Sequence, residues 1–239
     1  MFYFLITPIL TYNAILIAAA VIPAALLLWK VYSLDKLEHE SRRMLWQLIK
    51  AGIFSSLIAL VEERVLSSLL DIAVYPDTVL YNVILYFGIV AFAEESSKYL
   101  MLYKSSWNSP EYNCLYDGVV YAVFVSLGFA LWENISYVMH YGFSTALVRA
   151  LTAIPGHTCF GVFMGVFYGI ARKYENRGMK DRALRMKALA VLVPALLHGS
   201  YDYIASVEVS AWFFVGFIAL LFAASYMMVN RMSKKDRYI

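Results

Sequence analysis

Charge is what this sequence has least of. Only 15% of its 239 residues are Asp, Glu, Lys or Arg, against 62% hydrophobic, and the mean hydropathy is +0.64. Soluble domains carry about a quarter charged residues and about half apolar ones. The scarcity excludes that class and points to an all-α, polytopic membrane bundle within the lipid bilayer of a cell membrane. Cysteine is also rare: Cys114 and Cys159 lie in or beside apolar stretches, which argues against a disulfide framework. No short apolar leader with a small-residue cleavage site precedes the first apolar run, so that run is expected to be retained. Internal repeats and low-complexity linkers are missing, and the chain reads as one domain over 1–239. There is no Gly-rich phosphate loop, no GxSxG and no Ser–Lys pattern. The last apolar run has no lysine for a retinal Schiff base, and no nucleic-acid partner is expected.

Seven apolar runs are present, at about 9–29, 44–61, 79–103, 116–138, 150–171, 188–204 and 211–229. Each is near the 20 residues a helix needs to cross a bilayer. A polar, helix-prone segment covers 30–50, the second run stops at Glu62, Glu63 and Arg64, and a basic loop is expected over 172–187. Of the 20 Lys and Arg, 17 fall on one side of the alternating loops, two (Arg64 and Arg149) fall on the other, and Lys98 lies inside a run. Positive charge is retained on the cytoplasmic side, so the N-terminus is expected outside and the C-terminus inside.

The third run contains AFAEESSKYLML, with Glu94, Glu95 and Lys98 in its later half. Ionisable groups inside a span are costly, face the bundle interior and mark function by default. A surface helix with a solvated acidic face is the plainer alternative, and the unbroken apolar flanks argue against it. The fourth run holds Glu133 and Asn134, the fifth His157, and the sixth His198 and Asp202, four apart and therefore on one helical face. His157, Gly161, Gly165 and Gly169 repeat every four residues, a stripe where another helix can approach closely. Asn134 taken singly also suits interhelical glue, and Asp202 suits water contact near the outer end. At 1.5 Å per residue, Glu133, His157 and Asp202 lie about 5–8 Å outward of their span midpoints, His198 is nearly central, and Glu94 lies about 5 Å to the other side. A polar cavity near mid-membrane, open outward, is expected. Carboxylates and imidazoles around such a cavity are the materials for activating water, as general base or as metal ligands. Cys159 and His157 diverge by about 200° on a helix, which disfavours a Cys–His nucleophile.

EESSK (94–98), FALWEN (129–134), HTCF (157–160) and HGSYD (198–202) together resemble, in order and spacing, the four motifs of the PrsW family of intramembrane proteases. The block beginning DGVVYAVFVSLGFALWEN at Asp117 and the segment YSLDKLEHE fit as well, so the likeness covers about 32–205. That family is distantly similar to the type II CAAX prenyl proteases. The resemblance implies an endopeptidase that makes the first, outer-side cut in a single-pass membrane protein similar to an anti-sigma factor. It implies a catalytic set of Glu94, Glu95, Glu133, Asn134, His157, His198 and Asp202. Glu94 is the leading candidate to activate water, and His198 to polarise or transfer a proton. One of Glu94 and Glu95 is expected to face the cavity while the other orients it or pairs with Lys98. Asn134 is a candidate oxyanion donor. The CAAX pattern has His where this chain has Glu133 and commonly Asn where it has Asp202, which leaves Asp202 to orient His198, act protonated or bind metal. The cofactor stays open on this reading: three carboxylates and two imidazoles also suit zinc, and glutamate-activated water is favoured. The rival classes are a proton-coupled transporter, for which broken helices or inverted halves are expected, and a CAAX-type protease.

Overall fold

The computed structural model describes residues 2–207 and 210–239, with side chains from residue 11 onward in the first helix. The described residues are mostly helical, with no strands among them. The described residues form eight helices: α1 (Phe2–Tyr32), α2 (Arg42–Ala73), α3 (Val79–Ser106), α4 (Asp117–Tyr141), the short α5 (Phe143–Leu151), α6 (Ala153–Asn176), α7 (Lys180–Ser206) and α8 (Ala211–Lys234). Seven spans are long and apolar enough to cross a membrane, the fifth being α5 and α6 together. This is a multi-pass membrane protein. Its apolar residues face outward as well as inward, with Leu57, Leu60, Val61, Val65, Leu66 and Leu69 exposed along α2 alone.

Local chemistry sets the boundaries. Ser41 caps α2 by accepting the Met44 N–H, and the Glu111 carboxylate in turn accepts from the Ser41 N–H and hydroxyl. Thr78 caps α3 in the same manner through Tyr81. Gly142 and Gly178 turn the chain with φ of 82° and 72°, values that favour glycine. The helices outrun the apolar runs of the sequence. Residues 33–41 are not helical, whereas α2 continues through Glu62, Glu63 and Arg64 to Ala73, because Val65, Leu66, Leu69 and Leu70 extend its apolar surface. The basic loop shrinks to three residues, 177–179, since Arg172–Asn176 finish α6 and Lys180–Lys187 begin α7. Within α3, Ile84–Val90 adopt π-helical geometry. Such a segment rotates the residues that follow relative to a regular helix.

Helix α4 is the axis of the bundle. Every residue from Asp117 to Ala130 is buried. It packs on α2 through Gly52 and Gly128, where an added Cβ would run into the Val125 and Ile49 carbonyls respectively. On its other side lies the glycine stripe of α6. A Cβ on Gly165 would sit 2.5 Å from the Gly118 carbonyl oxygen, one on Gly169 2.6 Å from that of Leu115, and one on Gly161 2.9 Å from the Ser126 Cβ. The four-residue period therefore does what the sequence suggests: it lets α4 and α6 touch backbone to backbone. Replacing Gly165 by Ala should destabilise the bundle by about 1–3 kcal/mol, the usual range for overpacking. Gly216→Ala, with nothing within 4 Å, should be neutral; thermal unfolding of the two variants in detergent checks the contrast.

Candidate active site

The π-helical segment delivers Glu94, Glu95 and Lys98 to the centre of the bundle, where all three are buried. Lys98 is fully buried and its Nζ donates to Glu95 Oε1 at 2.8 Å and Glu94 Oε2 at 2.9 Å. It lies 3.3 Å from His157 Nδ1 and 4.0 Å from the centroid of the Phe129 ring. Three donors thus meet three acceptors. An ammonium has no lone pair, so His157 Nδ1 accepts from it and the ring proton belongs to Nε2, which donates to Glu133 Oε2 at 2.9 Å. The Ser126 hydroxyl holds the His157 carbonyl.

The two glutamates divide in the way left open by the sequence. Glu94 lines a cavity of about 640 Å³, together with Glu63, Glu133, Arg149, His157, His198 and Asp202. Glu95 is absent from that wall and fully buried; its Oε1 meets His198 Nδ1 at 3.0 Å. The other ring nitrogen of His198 lies 3.3 Å from Asp202 Oδ2. Phe160 stacks on the same ring at 4.7 Å, so the imidazole is fixed in plane and in tilt. Glu94, His157 and His198, from α3, α6 and α7, each present a ligand atom within 4.8 Å of the other two.

Asn134 is placed differently from an oxyanion donor. It is fully buried and off the cavity wall; its Nδ2 donates to the Ala20 carbonyl of α1 at 3.0 Å and its Oδ1 accepts from Arg149 Nε at 2.9 Å. Arg149, a loop charge by the apolar-run boundaries, sits in α5, where Nη2 is 3.1 Å from Glu133 Oε2 and the guanidinium covers the Tyr137 ring at 4.1 Å. Glu63, at the end of the second apolar run, joins the cavity wall from the prolonged α2. The continuing apolar surface after Arg64 was the signal for Glu63. Arg149 had none, because its partners are distant in sequence.

A family profile described as PrsW family intramembrane metalloprotease matches residues 40–229. The chain belongs to the PrsW family. Protease PrsW of Geobacillus kaustophilus is 30% identical over 216 residues, 86% of each chain. Protease PrsW of Oceanobacillus iheyensis is 31% identical over 189 residues, 79% of this chain and 82% of that one. Protease PrsW of Bacillus subtilis is 40% identical over 123 residues, spanning 52% of this chain and 54% of its own. No solved structure matches.

That family description implies a metal, and the donor set fits one. Two nitrogens and a carboxylate oxygen, with a side open to the cavity, match the ligands of catalytic zinc sites. Glu133 on His157, and Glu95 or Asp202 on His198, are placed as the carboxylates that orient metal-bound histidines. Lys98 is the feature a metal must accommodate, since it already takes up Glu94 Oε2 and His157 Nδ1.

The outer rim of the site makes its own prediction. Arg149→Met removes the guanidinium from both Glu133 and Asn134, and hydrogen bonds to charged groups contribute about 1.5–3 kcal/mol. Thermal unfolding should register a loss of that size; an unchanged Tm would mean that Arg149 is not engaged.

Proposed function

We propose that this chain is an intramembrane endopeptidase that hydrolyses a peptide bond of a single-pass membrane protein, with water activated at Glu94. The observation that carries the reading is the convergence of Glu94, His157 and His198, from three separate helices, on one wall of a polar cavity. Glu94 accepts a proton from a cavity water, whose oxygen adds to the scissile carbonyl. Arg149 lines the same cavity and meets the oxyanion. His198, held between Glu95 and Asp202, delivers a proton to the leaving amine as the C–N bond breaks. Lys98 and Glu95 position Glu94 and His198 from behind. Asn134 acts on the reaction only through Arg149. Glu94, His157 and His198 would hold a zinc ion, which supplies Lewis acidity toward a carbonyl oxygen or a bound water. The transporter alternative has the same buried groups but not the family membership.

The substrate class proposed is an anti-sigma-factor-like protein cut near its outer side, with the N-terminus outside and the C-terminus inside. The charge bias of 17 to two supports this orientation. A C-terminal reporter active only outside the cell would refute it.

Incubation of the purified protein with candidate single-pass substrates tests the activity. Glu94→Gln, which keeps the shape and removes the base, should slow cleavage by about 10²–10⁴ while the protein accumulates normally. Near-normal cleavage by Glu94→Gln would end the assignment. His198→Ala should also abolish cleavage, because both a metal-free and a zinc-held site use its imidazole. A strong chelator separates the two: activity that survives it supports water activation by Glu94 alone, and activity lost and then restored by added zinc supports the metal.

A further inference from the structure

A second group of converging carboxylates lies far from the cavity. Asp117 and Glu133 are sixteen residues apart on α4, about 24 Å along its axis. Asp117 opens that helix, and beside it lie Asp35 and Glu40 from the linker between α1 and α2. Their exposures are 0%, 4% and 6%. One oxygen from each lies within 4.8 Å of the other two.

These oxygens are poorly satisfied, with the Tyr121 hydroxyl beside Glu40 and the Leu37 N–H beside Asp35 as their nearby donors. Both oxygens of Asp35, Oε1 of Glu40 and Oδ1 of Asp117 have no hydrogen-bond partner. Among the described residues, no Lys or Arg nitrogen lies within 4.0 Å of any of the three carboxylates. The remaining oxygen of Asp117 is held by the N–H groups of Asn113 and Cys114, at 3.0 and 2.7 Å, which fixes the carboxylate in place. Asn113 Oδ1 and Asp236 Oδ2, in the adjoining segments, are also buried without partners. An open cavity of about 410 Å³, lined by Glu38, Glu40 and Asn113 among others, reaches the group at Glu40. Isolated buried carboxylates are among the most costly groups to desolvate.

We propose that Asp35, Glu40 and Asp117 form a binding site for a hard divalent cation, of the calcium or magnesium class, at the end of the bundle remote from the catalytic cavity. The donors are oxygens only, which suits these ions and not softer metals. The bound ion neutralises the group and fastens together the 33–41 linker and the start of α4. Tyr116 N–H donates to Asp236 Oδ1 and Leu115 N–H to the Arg237 carbonyl, so the C-terminal segment is tied to the same point. Without a cation, burial and then the neighbouring Asp236 push Asp35 up to about 7, and burial and then Asp117 push Glu40 up to about 8. Protons are therefore the competing occupants.

The full-length protein in detergent, stripped with a chelator, is titrated at neutral pH with calcium and separately with magnesium, by calorimetry and by thermal unfolding. One ion per chain should bind in the favoured arm, and the Tm should rise by about 5–10 °C at a hundredfold excess over Kd. Asp35→Asn should weaken binding at least tenfold. Glu94→Gln should bind the ion as the wild type does, which separates this site from the catalytic one. Should Asp35→Asn not give a monodisperse protein, Glu40→Gln replaces it. No saturable binding by the wild type well above the about 10⁻³ M of the weakest calcium modules, or undiminished binding by the asparagine or glutamine variant, would overturn the proposal.

Discussion

One ammonium organises the cavity end of this protein. Lys98 is fully buried among apolar helices, and three side chains supply what its three protons need: both glutamates of its own helix and His157 of α6. The spacing makes this possible. Residues three and four apart on a helix project to one side, so Glu95 and Glu94 both reach the same nitrogen while their free sides diverge. Glu94 is thereby turned to the cavity and Glu95 to His198. In a low-dielectric interior the two carboxylates are costly without this ammonium. The constraint then spreads outward through shared acceptors: His157 to Glu133, Glu133 to Arg149, and Arg149 to Asn134, which is anchored on α1. Five helices are joined to this one chain of contacts.

The rest of the fold brings those helices close enough for it to form. The glycines of α4 and α6 remove the side-chain layer between two backbones, and the Gly52–Gly128 contact does the same for α2. The π-helical segment in α3 lies directly before Ala91, so the register of the whole EESSK stretch depends on it. The same central helix links the two ends, with Asp117 at its start and Glu133 in its final third. Any tightening of the acidic end by a cation acts on the helix that also presents Glu133 to His157.

Much of the site was legible because membranes make polar residues conspicuous. Glu94, His157, His198 and Asp202 stand out inside apolar runs, and the four-residue glycine period identifies a contact face without any structure. Apolar runs, however, end at the first charge, whereas a helix ends where its backbone hydrogen bonds do. Glu63 was lost by that difference, since α2 outlasts its apolar run, whereas Arg149 lies in a short helix before its run and its partners are distant in sequence. The acidic trio was illegible for another reason. Asp35, Glu40 and Asp117 look like ordinary charges at span ends, and only the folded chain brings residues 35 and 117 together and closes them off from water. The π-helical register and the route from Asn134 to Ala20 likewise have no local sequence signal.

Removing the shared ammonium tests the central claim most directly. Lys98→Met leaves two buried carboxylates without their cation, and breaking a buried pair costs about 3–5 kcal/mol. Thermal unfolding of that variant should show the loss, and adding Glu94→Gln and Glu95→Gln to it should recover most of the stability while leaving the protein unable to cleave. A Lys98→Met protein as stable as the wild type, or a triple variant no more stable than the single one, would contradict the account.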